Sequence, residues 1–254
     1  MKFGISILSI VPVRSEPNDR AEMTSQLIFG EHYKILESQK KWSKIQIAHD
    51  KYVGWISNKQ IKEIDEEEFN RLEKEIPTIS TDILDIIEGN IHQPIVIGSI
   101  LPSFKSEHAL IAQKMYKFTG NKSQGFSQKK HLISNALIFL NAPYLWGGRT
   151  PFGIDCSGFV QIIFRLQGIK MPRDAYQQIE IGETIDNINN IEKGDLAFFE
   201  NKDGKIVHVG LIMDNNQIIH ASGKVRIDKI DEKGIFNIKK SKYTHKLHSF
   251  KKII

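Results

Sequence analysis

The sequence predicts an α+β chain in three parts: a small all-β barrel over residues 1–62, a linker helix with a second small all-β barrel over 63–126, and an α+β domain over 127–254. Three observations carry this reading. The first half alternates short β-type runs with turn residues, which is the rhythm of small barrels. The second half opens on apolar residues at helical spacing and closes on strand candidates, the order of an α+β domain with an antiparallel sheet. A chain of 254 residues, 40% apolar and 26% charged, is also long enough to bury more than one core.

In the first part the strand runs are 5–13, 26–29, 33–37, 44–48 and 54–56. The acidic segment Glu63-Ile64-Asp65-Glu66-Glu67-Glu68-Phe69 follows, with Leu72 and Ile76 in helical step and Pro77 as the stop. Its charges read as a solvated face whose position early in a helix suits the macrodipole. Runs 83–87, 94–101 and 109–118, punctuated by Gly89, Gly98 and Gly120, predict the second barrel on rhythm and length alone. Over 127–140, Leu132, Ile133, Ala136, Leu137, Phe139 and Leu140 predict a helix. Runs 195–200, 207–214 and 217–221 predict the closing strands, followed by a lysine-rich β-like tail.

Met1-Lys2 and the apolar run to Val13 have the charge and length of a signal peptide, but no small-residue cleavage site follows and the run reads better as a buried strand. The expected compartment is the cytoplasm, with export to the periplasm or cell wall as the alternative. No apolar run approaches the ~20 residues of a membrane span. The single cysteine excludes an intramolecular disulfide framework. The net charge of +5 resides in the second half, where 19 Lys and Arg face 13 Asp and Glu, against 16 and 17 in residues 1–126. Lys239, Lys240, Lys242, Lys246, Lys251 and Lys252 read as a solvated face, or as an attractor of an acidic ligand. No nucleic-acid motif or interleaved aromatic stripe accompanies them, so no nucleic-acid partner is expected.

The chemistry concentrates on Tyr144-Leu145-Trp146-Gly147-Gly148-Arg149-Thr150-Pro151-Phe152-Gly153-Ile154-Asp155-Cys156-Ser157-Gly158-Phe159. A glycine-rich loop runs into Cys156, and the apolar segment 159–166 follows, so the thiol falls where a buried helix begins. Unpartnered N–H groups and partial positive charge at that end favour a thiolate, with a pKa below ~8.5. The bland use of a lone cysteine is as a small buried hydrophobe.

A nucleophilic cysteine needs a base. Of the nine histidines, His208 and His220 flank 209–219, whose turn is Asp214-Asn215-Asn216-Gln217. A loop of three or five residues centred on Asp214 would set the two histidines directly opposite each other, Cβ atoms ~4.5–5.5 Å apart, and a four-residue loop would not. Nucleophile, base and orienting group would then be complete. One cysteine and a His-x11-His spacing argue against zinc, so neither a metal nor another cofactor is expected.

Asp155-Cys156-Ser157-Gly158-Phe159 with its preceding Tyr-Leu-Trp-Gly-Gly, the run Lys193-Gly194-Asp195-Leu196-Ala197-Phe198-Phe199, and His208-Val209-Gly210 together resemble the NlpC-type cell-wall cysteine peptidases over about residues 130–250. The resemblance implies a papain-like fold for the α+β domain. Tyr52-Val53-Gly54-Trp55-Ile56 is similar to the last strand of bacterial SH3-like domains, so the two barrels are expected to be SH3-like. Val11-Pro12-Val13-Arg14, Glu22-Met23 and Gln26-Leu27-Ile28-Phe29-Gly30-Glu31 resemble one branch, the gamma-D-glutamyl-L-diamino-acid endopeptidases of murein peptide recycling.

That resemblance implies Cys156 as nucleophile, His208 as general base and acid, His220 as its orienter, and muropeptides with a free N-terminal L-Ala as substrate. It further implies Glu22 and Asp155 as partners of the substrate ammonium, Tyr52 closing the pocket, and Trp146 as an apolar wall. Ser157, Arg173 and Asp174 would address the D-Glu carboxylate and peptide backbone, and Tyr144 would be a further oxyanion donor. Each has a structural alternative: Asp155 a helix cap, Glu22 a solvated turn, Trp146 core. Ala175 stands where the branch often has serine. Competing readings are a cell-wall binding protein with a vestigial peptidase domain, or a papain-like amidase or acyltransferase.

Overall fold

Alternating burial along short strands builds the first of two units, Met1–Phe126 and Ser127–Ile254, in a computed structural model that describes residues 1–90, 92–126, 129–214 and 216–254. Strands β1 (Lys2–Ile5), β2 (Ile10–Arg14), β3 (Met23–Ile28), β4 (His32–Ser38), β5 (Trp42–Ile47), β6 (Val53–Ser57) and β7 (Lys62–Ile64) form an antiparallel sheet in the order β3-β2-β6-β5-β4-β1-β7. Val11, Val13, Leu27, Tyr33, Ile35, Ile45, Ile47 and Ile56 interlock as its core.

The predicted run 5–13 is two strands, not one. Ser6 donates its N–H to Glu31 and accepts from Gly30, and the chain passes from β1, between β4 and β7, to β2, between β3 and β6. A continuous apolar run carries no mark of such a crossing. The linker helix also starts later than predicted. Residues 62–64 add β7 to β1, and α1 (Glu66–Lys74) begins after Asp65, whose carboxylate accepts the Glu68 N–H at 2.8 Å. Glu68 itself is buried and accepts the Ala112 N–H at 2.9 Å, so the acidic run is not all solvated face.

Beyond α1, strands β8 (Thr78–Ser80), β9 (Leu84–Glu88), β10 (His92–Val96), β11 (Ile100–Leu101), β12 (His108–Ile111), β13 (Lys114–Lys117) and β14 (Lys122–Gln124) make a four-stranded sheet, β10-β9-β13-β12, and a three-stranded sheet, β11-β8-β14. The predicted run 94–101 divides between the two sheets at Gly98, φ 86°. The run 109–118 folds back on itself through Ala112 and Gln113, φ 47° and 63°, residues with no turn signature. Ile87, Ile95, Leu101, Ala109, Ile111 and Phe118 share one core with Ile5, Phe29 and Leu72.

The second unit opens on helix α2 (Leu132–Ile138), preceded by a 3-10 turn at Lys129–His131; the predicted start at Ser127 and the turn residue Asn215 lie outside the described residues. The short pair β15 (Arg149–Thr150) and β16 (Gly153–Ile154) leads into α3 (Cys156–Arg165), then α4 (Ala175–Gln178). Strands β17 (Glu183–Ile185), β18 (Leu196–Glu200), β19 (Ile206–Asp214), β20 (Gln217–Ser222), β21 (Lys224–Asp231), β22 (Gly234–Asn237) and β23 (Lys242–Lys252) follow in the order β17-β23-β18-β19-β20-β21-β22. β22 pairs back onto β23, closing six of them into a barrel.

The lysine-rich tail thus completes the barrel instead of decorating it. Ala197, Phe199, Ile212, Ile218, Ile230 and Ile235 fill one face of these strands, and α3 packs against β19 and β20. Among the described residues, no helix is long and apolar enough to cross a membrane.

Candidate active site

Cys156 is the first residue of α3, and the loop before it is built to cap that helix. Asp155 accepts the Gly158 N–H at 2.7 Å and the Gly147 N–H at 2.8 Å, tying both ends of the stretch to one carboxylate. The glycines are steric requirements. A Cβ on Gly148 would lie 2.3 Å from the Gly153 carbonyl oxygen, and one on Gly158 would lie 2.4 Å from the Gly148 carbonyl oxygen. Arg173, itself buried, closes the set: Nη2 lies 2.6 Å from Asp155 Oδ2, and Nη1 donates to Asp155 Oδ1 at 3.1 Å and to Ser157 Oγ at 2.9 Å. Asp155 is therefore both the helix cap and the counter-ion of Arg173.

The expected low thiol pKa is corrected here. Burial pushes the Cys156 thiol up to about 12, and the negative charge of Asp155 adds to it; hydrogen bonds from the Val209 and Ser157 amides and the charge of Arg173 only partly offset this. Burial thus outweighs the helix terminus and favours the protonated thiol. The Val209 hydrogen bond brings the residue next to His208 onto the sulfur.

His208 Nε2 and His220 Nδ1 are 2.8 Å apart, both residues buried. They meet by a different register from the one predicted. Leu211 pairs with Ile219 and Ile212 with Ile218, with a shift before Asp214 pairs with Gln217. That register sets Gly210, not His208, level with His220, and the imidazoles touch diagonally. Gly210 makes room: a Cβ there would sit 2.9 Å from His220 Cβ. Burial lowers the pKa of both histidines, and Asp228 beside His220 opposes the shift.

Two members of this cluster escaped the sequence reading. Asp228 Oδ2 lies 3.1 Å from His220 Nε2, and the His245 ring stacks on His208 with centroids 4.2 Å apart. Both sit in the tail, where alternation of Val225-Arg226-Ile227-Asp228 was the available signal of a strand presenting two charges to one face.

Of the remaining expected residues, Tyr144 is half-buried beside Cys156 and Asp155, and burial, with the charge of Asp155 adding to it, raises its hydroxyl to about 12. Trp146 is exposed at 58%, so it is not core. Ser157 is buried between Asp155 and Arg173, and the Asp174 N–H is accepted by Gln177 at the start of α4, where Ala175 is buried. Glu22 lies in the first unit, exposed before β3, its carbonyl accepting the Ser15 N–H; Tyr52, also in that unit, packs against the core of β2, β4 and β5. No group of three or more His, Cys, Asp or Glu among the described residues is arranged to hold a metal ion.

Residues 141–244 match the NlpC/P60 family, and residues 13–61 match the bacterial dipeptidyl-peptidase Sh3 domain. The chain is 28% identical over 223 residues to the gamma-D-glutamyl-L-lysine dipeptidyl-peptidase of Bacillus subtilis strain 168, covering 78% of this chain and 71% of that protein. It is 26% identical to dipeptidyl-peptidase 6 of Lysinibacillus sphaericus, covering 90% and 92%. In fold it is similar to the crystal structure of an NlpC/P60 family protein from Bacillus cereus ATCC 10987, with a TM-score of 0.84 at 19% identity over 99% of each chain. The second unit is thus an NlpC/P60 cysteine-peptidase domain of papain-like fold, and the first carries a bacterial SH3-like domain.

Proposed function

We propose that this protein is a cysteine endopeptidase that hydrolyses the bond between gamma-D-Glu and the L-diamino acid of peptidoglycan stem peptides bearing a free N-terminal L-Ala. The carrying observation is the seat of Cys156 at a capped helix start, hydrogen-bonded by the residue next to His208, with His208 in turn 2.8 Å from His220. The names of the two dipeptidyl-peptidase relatives support the substrate class.

His208 takes the Cys156 proton as the sulfur attacks the gamma-glutamyl carbonyl, since a thiol with a pKa near 12 needs a base at the moment of attack. Backbone N–H groups at the start of α3 and the Tyr144 hydroxyl receive the oxyanion. His208 then protonates the departing amine, and water, activated by the same imidazole, cleaves the thioester. Within the second unit, the exposed Trp146 is assigned to a pocket wall and Asp174 to the substrate backbone. Residues 78–124 are assigned as a second SH3-like barrel, on their two small sheets, and the compartment as the cytoplasm.

Purified protein is expected to cleave L-Ala-gamma-D-Glu-meso-diaminopimelate and to leave the N-acetylmuramoyl-linked stem peptide intact. Cleavage of the blocked peptide alone overturns the free-amine requirement. Turnover retained in Cys156→Ala overturns the thiol mechanism.

A further inference from the structure

Asp228 lies beyond the nucleophile, base and orienter, on the next strand. His208 on β19, His220 on β20, and Arg226 and Asp228 on β21 share one face of three adjacent strands, since His220 pairs with Arg226 and Ile218 with Asp228. The contacts form a chain: His208 Nε2 to His220 Nδ1 at 2.8 Å, and His220 Nε2 to Asp228 Oδ2 at 3.1 Å. Arg226 anchors the end, with Nη2 donating to Asp228 Oδ1 at 2.7 Å and Nε 2.7 Å from Oδ2. Asp228 is buried at 7% exposure, so its charge needs these partners.

The protons along this chain are determined by its far end. An ionised carboxylate only accepts, so His220 must carry its proton on Nε2 and donate it to Asp228. Neutral His220 then presents a bare Nδ1, which only accepts, so His208 must donate from Nε2. His208 is left with a lone pair on Nδ1, the one nitrogen of the pair free to take a proton from sulfur. Reversing the His220 tautomer would reverse His208 and remove the base.

We propose that Asp228, anchored by Arg226, is a positioning residue that sets the tautomers of His220 and His208 and so keeps Nδ1 of His208 as the base nitrogen. This rests on the peptidase reading above for the role of His208. Asp228 also faces the positive charge that His208 gains on taking the proton, relayed through His220, so it stabilises the imidazolium. The titratable and charged groups around the pair are His245 from β23, Asp228 and Arg226 from β21, and Cys156 from α3 across Val209. His245 holds the plane of the His208 ring by stacking but supplies no negative charge.

The test compares Asp228→Ala and Asp228→Asn with wild type on L-Ala-gamma-D-Glu-L-Lys, together with histidine-selective 15N NMR, which reads tautomers without turnover. For Asp228→Ala, kcat is expected to fall about 100-fold or more with KM nearly unchanged, by analogy with the loss of an orienting carboxylate in other triads. The acid limb of kcat/KM moves to lower pH, because a negative charge that favoured the imidazolium is gone. The NMR signals of His208 change from a single Nε2–H tautomer to a mixture.

Asp228→Asn keeps an acceptor oxygen for His220 and is expected to retain the single tautomer and more activity than Asp228→Ala, which also carries the test if the alanine variant does not fold. A folded Asp228→Ala with kcat within twofold of wild type overturns the proposal. So does a loss of kcat with the acid limb and the His208 tautomer unchanged, which marks a merely structural role. If wild type cleaves no stem peptide, the peptidase reading fails by itself, and the NMR comparison still decides whether Asp228 sets the tautomers.

Discussion

Arg173 Nη2 lies 2.6 Å from Asp155 Oδ2, and both side chains are buried, so the cap of the Cys156 helix is held by an ion pair cut off from water. Removing the cation would strand a carboxylate that also accepts the Gly147 and Gly158 amides. Arg173→Met is expected to destabilise the protein by about 3–5 kcal/mol, the usual cost of an orphaned buried charge. Urea unfolding of the variant against wild type measures it; a loss below 1 kcal/mol would show that the pair does not hold the cap.

A thiol raised to about 12 makes a prediction about reactivity. Only the thiolate alkylates, so the rate of Cys156 modification by iodoacetamide should rise about tenfold per pH unit from pH 7 to 9 without a plateau. Mass spectrometry of the labelled protein follows it. A rate independent of pH over this range would mean a preformed thiolate–imidazolium pair.

Gly210 opposite His220 gives a steric test. Its Cβ would approach Ile218 Cδ1 at 2.7 Å and His220 Cβ at 2.9 Å, so Gly210→Val is expected to push His220 off His208. The overpacking should cost about 1–3 kcal/mol of stability, and kcat should fall more than 10-fold. Unchanged kcat would mean that the His208–His220 contact does not matter for turnover.

Acid stability follows from the three clustered imidazoles, two buried and one partly buried. His245 is lowered from 6.5 to about 4, and His208 and His220 are lowered too, chiefly by burial. Between pH 6.5 and about 4 the unfolded His245 binds a proton that the folded one refuses, so stability falls as pH falls through this window and is complete above it. Each such histidine contributes a slope of up to about 1.4 kcal/mol per pH unit. Replacing His245 by Gln should flatten the decline of Tm between pH 6.5 and 4; an unchanged slope would place the group in solvent.

Sequence alone carried the local chemistry. The capped start at Cys156, the glycines that let its loop close, and the pair of histidines flanking a turn are each written in neighbouring residues, and their physics acts over a few ångströms of chain. It also carried most strands, because period-two burial is visible residue by residue. What it did not carry depends on which distant segments meet. The split of the run 5–13 into β1 and β2 and the fold-back at Ala112-Gln113 answer to sheet order, which no local pattern encodes. The register between β19 and β20 includes a bulge, so His208 and His220 meet diagonally and not directly opposite each other. Tertiary structure alone decided the direction of the thiol pKa, because burial outweighs the helix terminus, and it alone brought Asp228, by pairing β21 with β20, and His245, by pairing β23 with β18, to the imidazoles.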